Sequence, residues 1–319
     1  HMFPSGSYGE LNLNLKKPML NIQSYWDYQF KEPTHPFDPN ERELELKRLF
    51  EQAVKSYKSI LAIDSKNTSA YIDMGSAFIQ NGDIRAAMKA YKIAISINPE
   101  ISDAYYNLGN CFLTLDDWKS AVRNYRQAIR LDSSNAEAYN NLGIAYDGLR
   151  NNKKSLACYE YASKINPHYV DALVNTGTAF IKKRQSIKAI NYFQRALEIN
   201  PDSVEAYNGL GVCFKNTGKL NSSISNFKNS IRVNPEYIQA YLNLESIYLQ
   251  LSDLSKVTSL VNTKVRLLLE NDPEYQIHRV IFGFIKKDRN LCEEYLNKFK
   301  NSTNVNGHRD SREQVKIFS

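Results

Sequence analysis

The chain has 319 residues, 42% hydrophobic and 24% charged, with a formal charge of +7 from 41 Lys and Arg against 34 Asp and Glu. These values are ordinary for a soluble folded chain, and the mild basic excess permits an acidic partner without requiring one. No run approaches the roughly 18 apolar residues of a membrane span, and no basic region followed by an apolar core marks a secretory signal.

His1 and Met2 read as a cloning scar, which leaves open that the chain is part of a longer protein. Residues 1–40 read as an extended N-terminal segment. It carries an unusual aromatic cluster, Tyr25, Trp26, Tyr28 and Phe30, which is expected to dock on something. Asp38, Pro39 and Glu41 then supply a cap, a first-turn proline and an early acid for a helix. That capping helix is assigned to residues 41–67, with Leu46, Leu49, Phe50, Ala53, Val54, Tyr57, Ile60 and Leu61 as its apolar stripe.

From Thr68 onward the chain repeats. Ala70-Tyr71, Ala104-Tyr105, Ala138-Tyr139 and Ala206-Tyr207 open the same phrase, and Ala172-Leu173 and Ala240-Tyr241 fill the other two slots. Each start lies 34 residues after the last, so six repeats span 68–101, 102–135, 136–169, 170–203, 204–237 and a degenerate 238–271. Gly75, Gly109, Gly143, Gly177 and Gly211 share one slot inside the first helix of each repeat. A helix-interior glycine costs about 1 kcal/mol relative to Ala, so close approach of the paired helix must offset it. The small residues Ala87, Ala121, Ser155, Ala189 and Ser223 are the expected partners of that slot. Phe78, Phe112, Tyr146, Phe180, Phe214 and Tyr248 on first helices interdigitate with Tyr91, Tyr125, Tyr159, Phe193 and Phe227 on second helices. Pro99, Pro167, Pro201 and Pro235 stop the second helices, with Ser133 in the remaining slot. In the sixth repeat Glu245 replaces the glycine and Val257 the small partner, as terminal repeats tolerate. Residues 272–300 read as C-terminal capping helices and 301–319 as a flexible polar tail.

These residues resemble the tetratricopeptide repeat (TPR) signature over roughly residues 68–271. The resemblance implies an all-α, right-handed α-solenoid of stacked antiparallel helix pairs, whose first helices line a concave groove. One residue before each apolar-glycine pair stand Asp73, Asn107, Asn141, Asn175, Gly209 and Asn243. An asparagine amide both donates and accepts, so a ladder of them can hold a peptide backbone. This resembles the asparagine ladder of the O-linked N-acetylglucosamine transferase superhelix. The groove is expected to include Tyr106, Asn110, Asn140, Ile144, Val174, Thr178, Asn208, Val212 and Ser246 as well.

The expected function is a scaffold or adaptor that binds a protein or an extended peptide. One alternative is the substrate-recognition region of a larger glycosyltransferase. A second is binding of nucleic acid or acidic ligands through the basic turns Arg150, Lys153, Lys154, Lys182, Lys183, Arg184 and Lys188, with nucleic acid the weaker case. Cations that clamp a chaperone's C-terminal carboxylate are missing from the matching slots Ile72, Ser76 and Asp171, so that specificity is not expected. Nor are a cofactor, a metal or a membrane expected. Gly209-Leu210-Gly211 lacks the third glycine of a dinucleotide loop, and no histidine pair has metal-ligand spacing. The four cysteines lack CxxC spacing, and an intracellular location, cytoplasmic or nuclear, is expected.

Overall fold

The computed structural model describes residues 39–260 and 272–306. The aromatic cluster at 25–30, the end of the sixth repeat beyond Leu260 and residues 307–319 lie outside the described residues. The fold is an all-α solenoid of antiparallel helix pairs, with no strand among the described residues. The helices divide between two compact units that meet in sequence at Pro167 and His168.

The first unit holds α1 (Pro39–Ile63) and three pairs: α2 (Thr68–Gln80) with α3 (Ile84–Ile97), α4 (Ser102–Thr114) with α5 (Trp118–Leu131), and α6 (Ala136–Gly148) with α7 (Asn152–Ile165). The second holds α8 (Val170–Lys182) with α9 (Ser186–Ile199), α10 (Val204–Asn216) with α11 (Leu220–Val233), α12 (Ile238–Gln250) with α13 (Leu254–Leu260), and α14 (Pro273–Lys286) with α15 (Arg289–Asn306). The last of these runs past residue 300, where the sequence reading ended the cap.

Each boundary has a local cause. Asn67, Asp83, Asp117, Asn135, Asn151 and Ser203 each accept from the backbone N–H three residues on, satisfying one orphan donor of the following helix. Second helices end at Asn98, Asp132, Asn200 and Asn234, whose side-chain oxygens accept from the backbone N–H two residues later. These turns compete with helix continuation, and a following proline holds the residue before it extended.

The glycine slot is explained by a different neighbour from the expected one. A Cβ on Gly75 would lie 2.5 Å from Tyr91 Cε1, on Gly109 2.7 Å from Tyr125 Cε1, and on Gly143 2.5 Å from Tyr159 Cε1. In the second unit Gly177 and Gly211 stand in the same relation to Phe193 and Phe227. The ring of the second helix, not its small residue, fills the notch, because a long side chain can lie across the first helix where Cβ is missing. The small residues are buried too, with Ala87, Ala121 and Ala189 at 0% exposure.

The tight turn inside each pair needs a left-handed residue. Gly82 and Gly218 supply it at φ of 80° and 76°, but Asp116, Arg150, Arg184 and Ser252 adopt it at φ of 55–58°. The left-handed backbone costs a residue with a Cβ about 1–2 kcal/mol, against a smaller entropic penalty for glycine in the unfolded chain. Arg150→Gly is therefore expected to stabilise by about 0.5 kcal/mol, seen as a rise of roughly 1–2 °C in thermal denaturation. A fall in melting temperature would show that the entropy of glycine outweighs the relief.

Candidate functional site

The residues left over by the core lie on the first helices, and in each unit they are joined across repeats. On α4 and α6 the Asn141 amide donates to Asn110 Oδ1 at 3.0 Å and to the Tyr106 hydroxyl at 3.4 Å. Tyr106 in turn donates to Glu137 Oε2 at 3.0 Å. Beneath them the Tyr125 hydroxyl donates to Asn110 Oδ1 at 2.7 Å, and Asn140 donates to Asn141 Oδ1 at 3.3 Å. Asn110 and Asn140 are buried, at 6% and 3% exposure. They hold up the face from below rather than presenting amides to solvent.

Asn107, Asn141, Tyr106 and Ile144 are half-buried, and Asp73 on α2 is exposed. Although the residue as a whole is exposed, its carboxyl is partly desolvated, which pushes it above its ordinary range. Burial likewise raises the Tyr106 phenol, with the nearby Glu137 carboxylate adding to the effect, so Tyr106 stays a neutral donor.

In the second unit Val174, Asn175, Asn208, Val212, Asn243 and Ser246 are half-buried and Thr178 is exposed. Asn243 donates to Asn208 Oδ1 at 2.9 Å, with Asn208 in the slot that Tyr106 holds in the first unit, so this bond corresponds to that of Asn141 to Tyr106. The Thr178 hydroxyl is turned back onto its own helix, donating to the Val174 carbonyl at 2.9 Å. Gly209 interrupts the asparagine slot for a packing reason: a Cβ there would collide with Phe193 Cζ.

Two residues missed by the sequence reading belong to these faces. Asp147 and Lys215 occupy a slot held elsewhere by Ile79, Leu113, Ile181 and Leu249. Tyr159, facing Ile144 where Tyr91 has Ser76 and Tyr125 has Asn110, donates instead to Asp147 Oδ2 at 3.3 Å. Lys215 Nζ donates to Ser246 Oγ at 2.8 Å. Comparing the slot across the six repeats would have exposed both.

The basic residues are exposed in both units. Arg150, Lys153 and Lys154 belong to the first, where Lys154 Nζ lies 5.3 Å from the Tyr146 ring centre. Lys182, Lys183, Arg184 and Lys188 belong to the second, where Lys188 Nζ lies 5.7 Å from the Phe180 ring centre. Among the described residues no three His, Cys, Asp or Glu side chains gather as a metal site. Cys111, Cys158 and Cys213 are buried free thiols, and burial pushes Cys111 up to about 12. No described helix is long and apolar enough to cross a membrane.

Solved structures share this architecture. A tetratricopeptide repeat protein from Parabacteroides merdae aligns with a TM-score of 0.63 at 19% identity, over 78% of this chain and 98% of that one. The Cut9–Hcn1 hetero-tetramer of the APC/C aligns at 0.64 and 17% identity, over 84% of this chain and 52% of that one. YrrB, a TPR protein with an unusual peptide-binding site, aligns at 0.51 and 18% identity, over 59% and 96%. No curated protein sequence matches the chain. TPR arrays in general mediate protein–protein interaction and are non-catalytic scaffolds. Residues 41–241, well over half of the chain, match the cilia and flagella-associated protein 70 C-terminal domain, and the chain belongs to that TPR family.

Proposed function

We propose that the first-helix faces bind an extended peptide segment of a partner protein, and that the chain serves as an adaptor within a multiprotein assembly. The observation that carries this reading is the linked amide row. Half-buried Asn107, Asn141, Asn175 and Asn243 share one slot of the repeat, and Asn141 and Asn243 are fixed by cross-repeat bonds to Asn110 and Asn208. Fixing them in advance lowers the ordering cost of binding. The Asn243 bond uses the oxygen of Asn208 and leaves that residue's amide nitrogen to other partners. A peptide backbone offers the carbonyls and N–H groups such amides accept and donate to.

The test is a selection of unstructured peptides displayed against the full chain, followed by titration of the winners. Asn107→Ala and Asn208→Ala are each expected to weaken binding about five- to tenfold, from roughly 1 kcal/mol per lost hydrogen bond. Asn107 is half-buried, so its substitution should hardly move the melting temperature, whereas Asn208→Ala also gives up the bond from Asn243 and should cost about 1 kcal/mol of stability. Peptides that bind both variants as well as wild type would place recognition elsewhere.

A further inference from the structure

The second helices of the first two repeats carry charge of one sign. Over 14 residues each, α3 holds Arg85, Lys89 and Lys92, α5 holds Lys119, Arg123, Arg126 and Arg130, and neither holds an Asp or Glu. The cations are in register: Lys119, Arg123 and Arg126 follow those of α3 by 34 residues, and Arg130 stands in the slot of Ser96. Steps of three and four residues put each set on one stripe of its helix. All seven residues are exposed, and no described carboxylate lies within ion-pair distance of any of them. Asp117, the cap of α5, feels Arg123 and Lys119, but its carboxyl is held low chiefly by hydrogen bonding to Ser120.

The fold does not ask for these cations. The same four slots hold Ile187, Asn191, Gln194 and Glu198 on α9, and Asn221, Ser225, Lys228 and Arg232 on α11, in helices of equal length. On α7 the stripe is broken by Ala157 and Glu160. Helix electrostatics runs against the cations as well. Arg85 and Lys119 sit in first turns, where the helix dipole disfavours positive charge, and only Arg130 lies in a last turn. Five like-charged pairs stand three or four residues apart, from Arg85 with Lys89 to Arg126 with Arg130, and each is repulsive. A stripe that the fold neither needs nor rewards points outward, to a partner.

We propose that this stripe, a surface separate from the first-helix faces, docks a segment of a partner protein rich in Asp and Glu. Four of the seven cations are arginines, whose planar fork matches a carboxylate through two parallel hydrogen bonds. Successive charges along a helix stripe are about 5–6 Å apart, and alternate side chains of an extended strand about 6–7 Å apart. Carboxylates on one face of an extended segment can therefore each meet a cation. The eight slots hold no aromatic or apolar side chain. Strands of nucleic acid bound without sequence preference use stacking rings beside the cations, and membrane-surface helices use an apolar face. The stripe has neither.

The test is titration of the full chain with fluorescein-labelled decaglutamate, with decaglutamine and a thymidine strand of equal length for comparison. Decaglutamate is expected to bind, more weakly as salt is raised, and decaglutamine not to bind. Arg123→Gln, Arg126→Gln and Arg130→Gln together should weaken decaglutamate about tenfold, and Lys89→Gln with Lys92→Gln about threefold, with circular dichroism unchanged in both. Lys228→Gln with Arg232→Gln, at the same slots of the second unit, should leave its affinity as in wild type. So should Asn107→Ala, which tests the first-helix face apart from the stripe. Three results would overturn the proposal. The first is decaglutamate bound no better than decaglutamine. The second is an affinity indifferent to both stripe variants. The third is tighter binding of the thymidine strand, lost in the same variants, which would assign the stripe to nucleic acid.

Discussion

Replacing His278 by alanine is expected to loosen the C-terminal helix pair from the last repeat and lower stability by about 3 kcal/mol. Glu245 sits in the slot where every earlier repeat has glycine, and it is 1% exposed. Its Oε2 lies 3.1 Å from His278 Nδ1 on α14, and its Oε1 has no hydrogen-bond partner. Losing the imidazole leaves a buried carboxyl group with neither oxygen satisfied, the costly side of a broken buried pair. The rest of this interface cannot easily compensate, since Arg279 is held by rings, 4.4 Å from the centre of Phe282 and 5.6 Å from that of Tyr295. Amide exchange over α14 and α15 should accelerate well before the first unit responds. His278→Ala with Glu245→Ala together should recover much of the loss, because no orphaned carboxyl remains. Uniform exchange across the chain, or no recovery in the double variant, would mean the pair does not fasten the cap.

Gly143→Ala should be nearly as damaging, even though alanine favours helix by about 1 kcal/mol. The new Cβ would stand 2.5 Å from Tyr159 Cε1, about 1 Å inside ordinary contact. The ring is 2% exposed and tied by its hydroxyl to Asp147, so it has nowhere to swing. Overpacking of this kind costs about 1–3 kcal/mol, and with a ring held at both ends the upper part of that range applies. The expected net loss is about 2 kcal/mol, or roughly 4–8 °C for a unit of this size. Adding Tyr159→Leu should make the alanine nearly neutral, because the two changes are coupled through one contact. Additive losses in the double variant would separate the glycine from the ring.

The fold was legible in the sequence because the constraints repeat. A glycine, an aromatic and a small residue at fixed offsets, five times over, specify helix pairs stacking on copies of themselves. What the glycine faces was not legible, since offsets along the chain do not say how far a ring reaches across a helix. The helix stops were credited to proline, yet the second helix of the second repeat ends normally before Ser133. There Asp132 makes the same turn as Asn98 before Pro99. The candidate site was half legible. The asparagine row stood out by its period, but buried Asn110 and Asn140 could not be told from half-buried Asn107 and Asn141. Their difference depends on bonds between residues 31 to 35 apart in sequence, such as those joining Asn141 to Asn110 and Asn243 to Asn208. Asp147 and Lys215 were hidden by the opposite habit, reading a slot by its commonest residue.

The most direct measurement is affinity capture from a lysate of the source cell with three full-length baits, read by mass spectrometry. The baits are wild type, the triple variant Asn107→Ala, Asn141→Ala, Asn175→Ala, and a control with Lys153→Ser and Lys154→Ser on an exposed turn. Binding along the first-helix faces predicts a set of proteins kept by wild type and the turn control and lost by the triple variant, with all three baits folded. The same set on the triple variant, or its loss only with the turn control, would contradict the account.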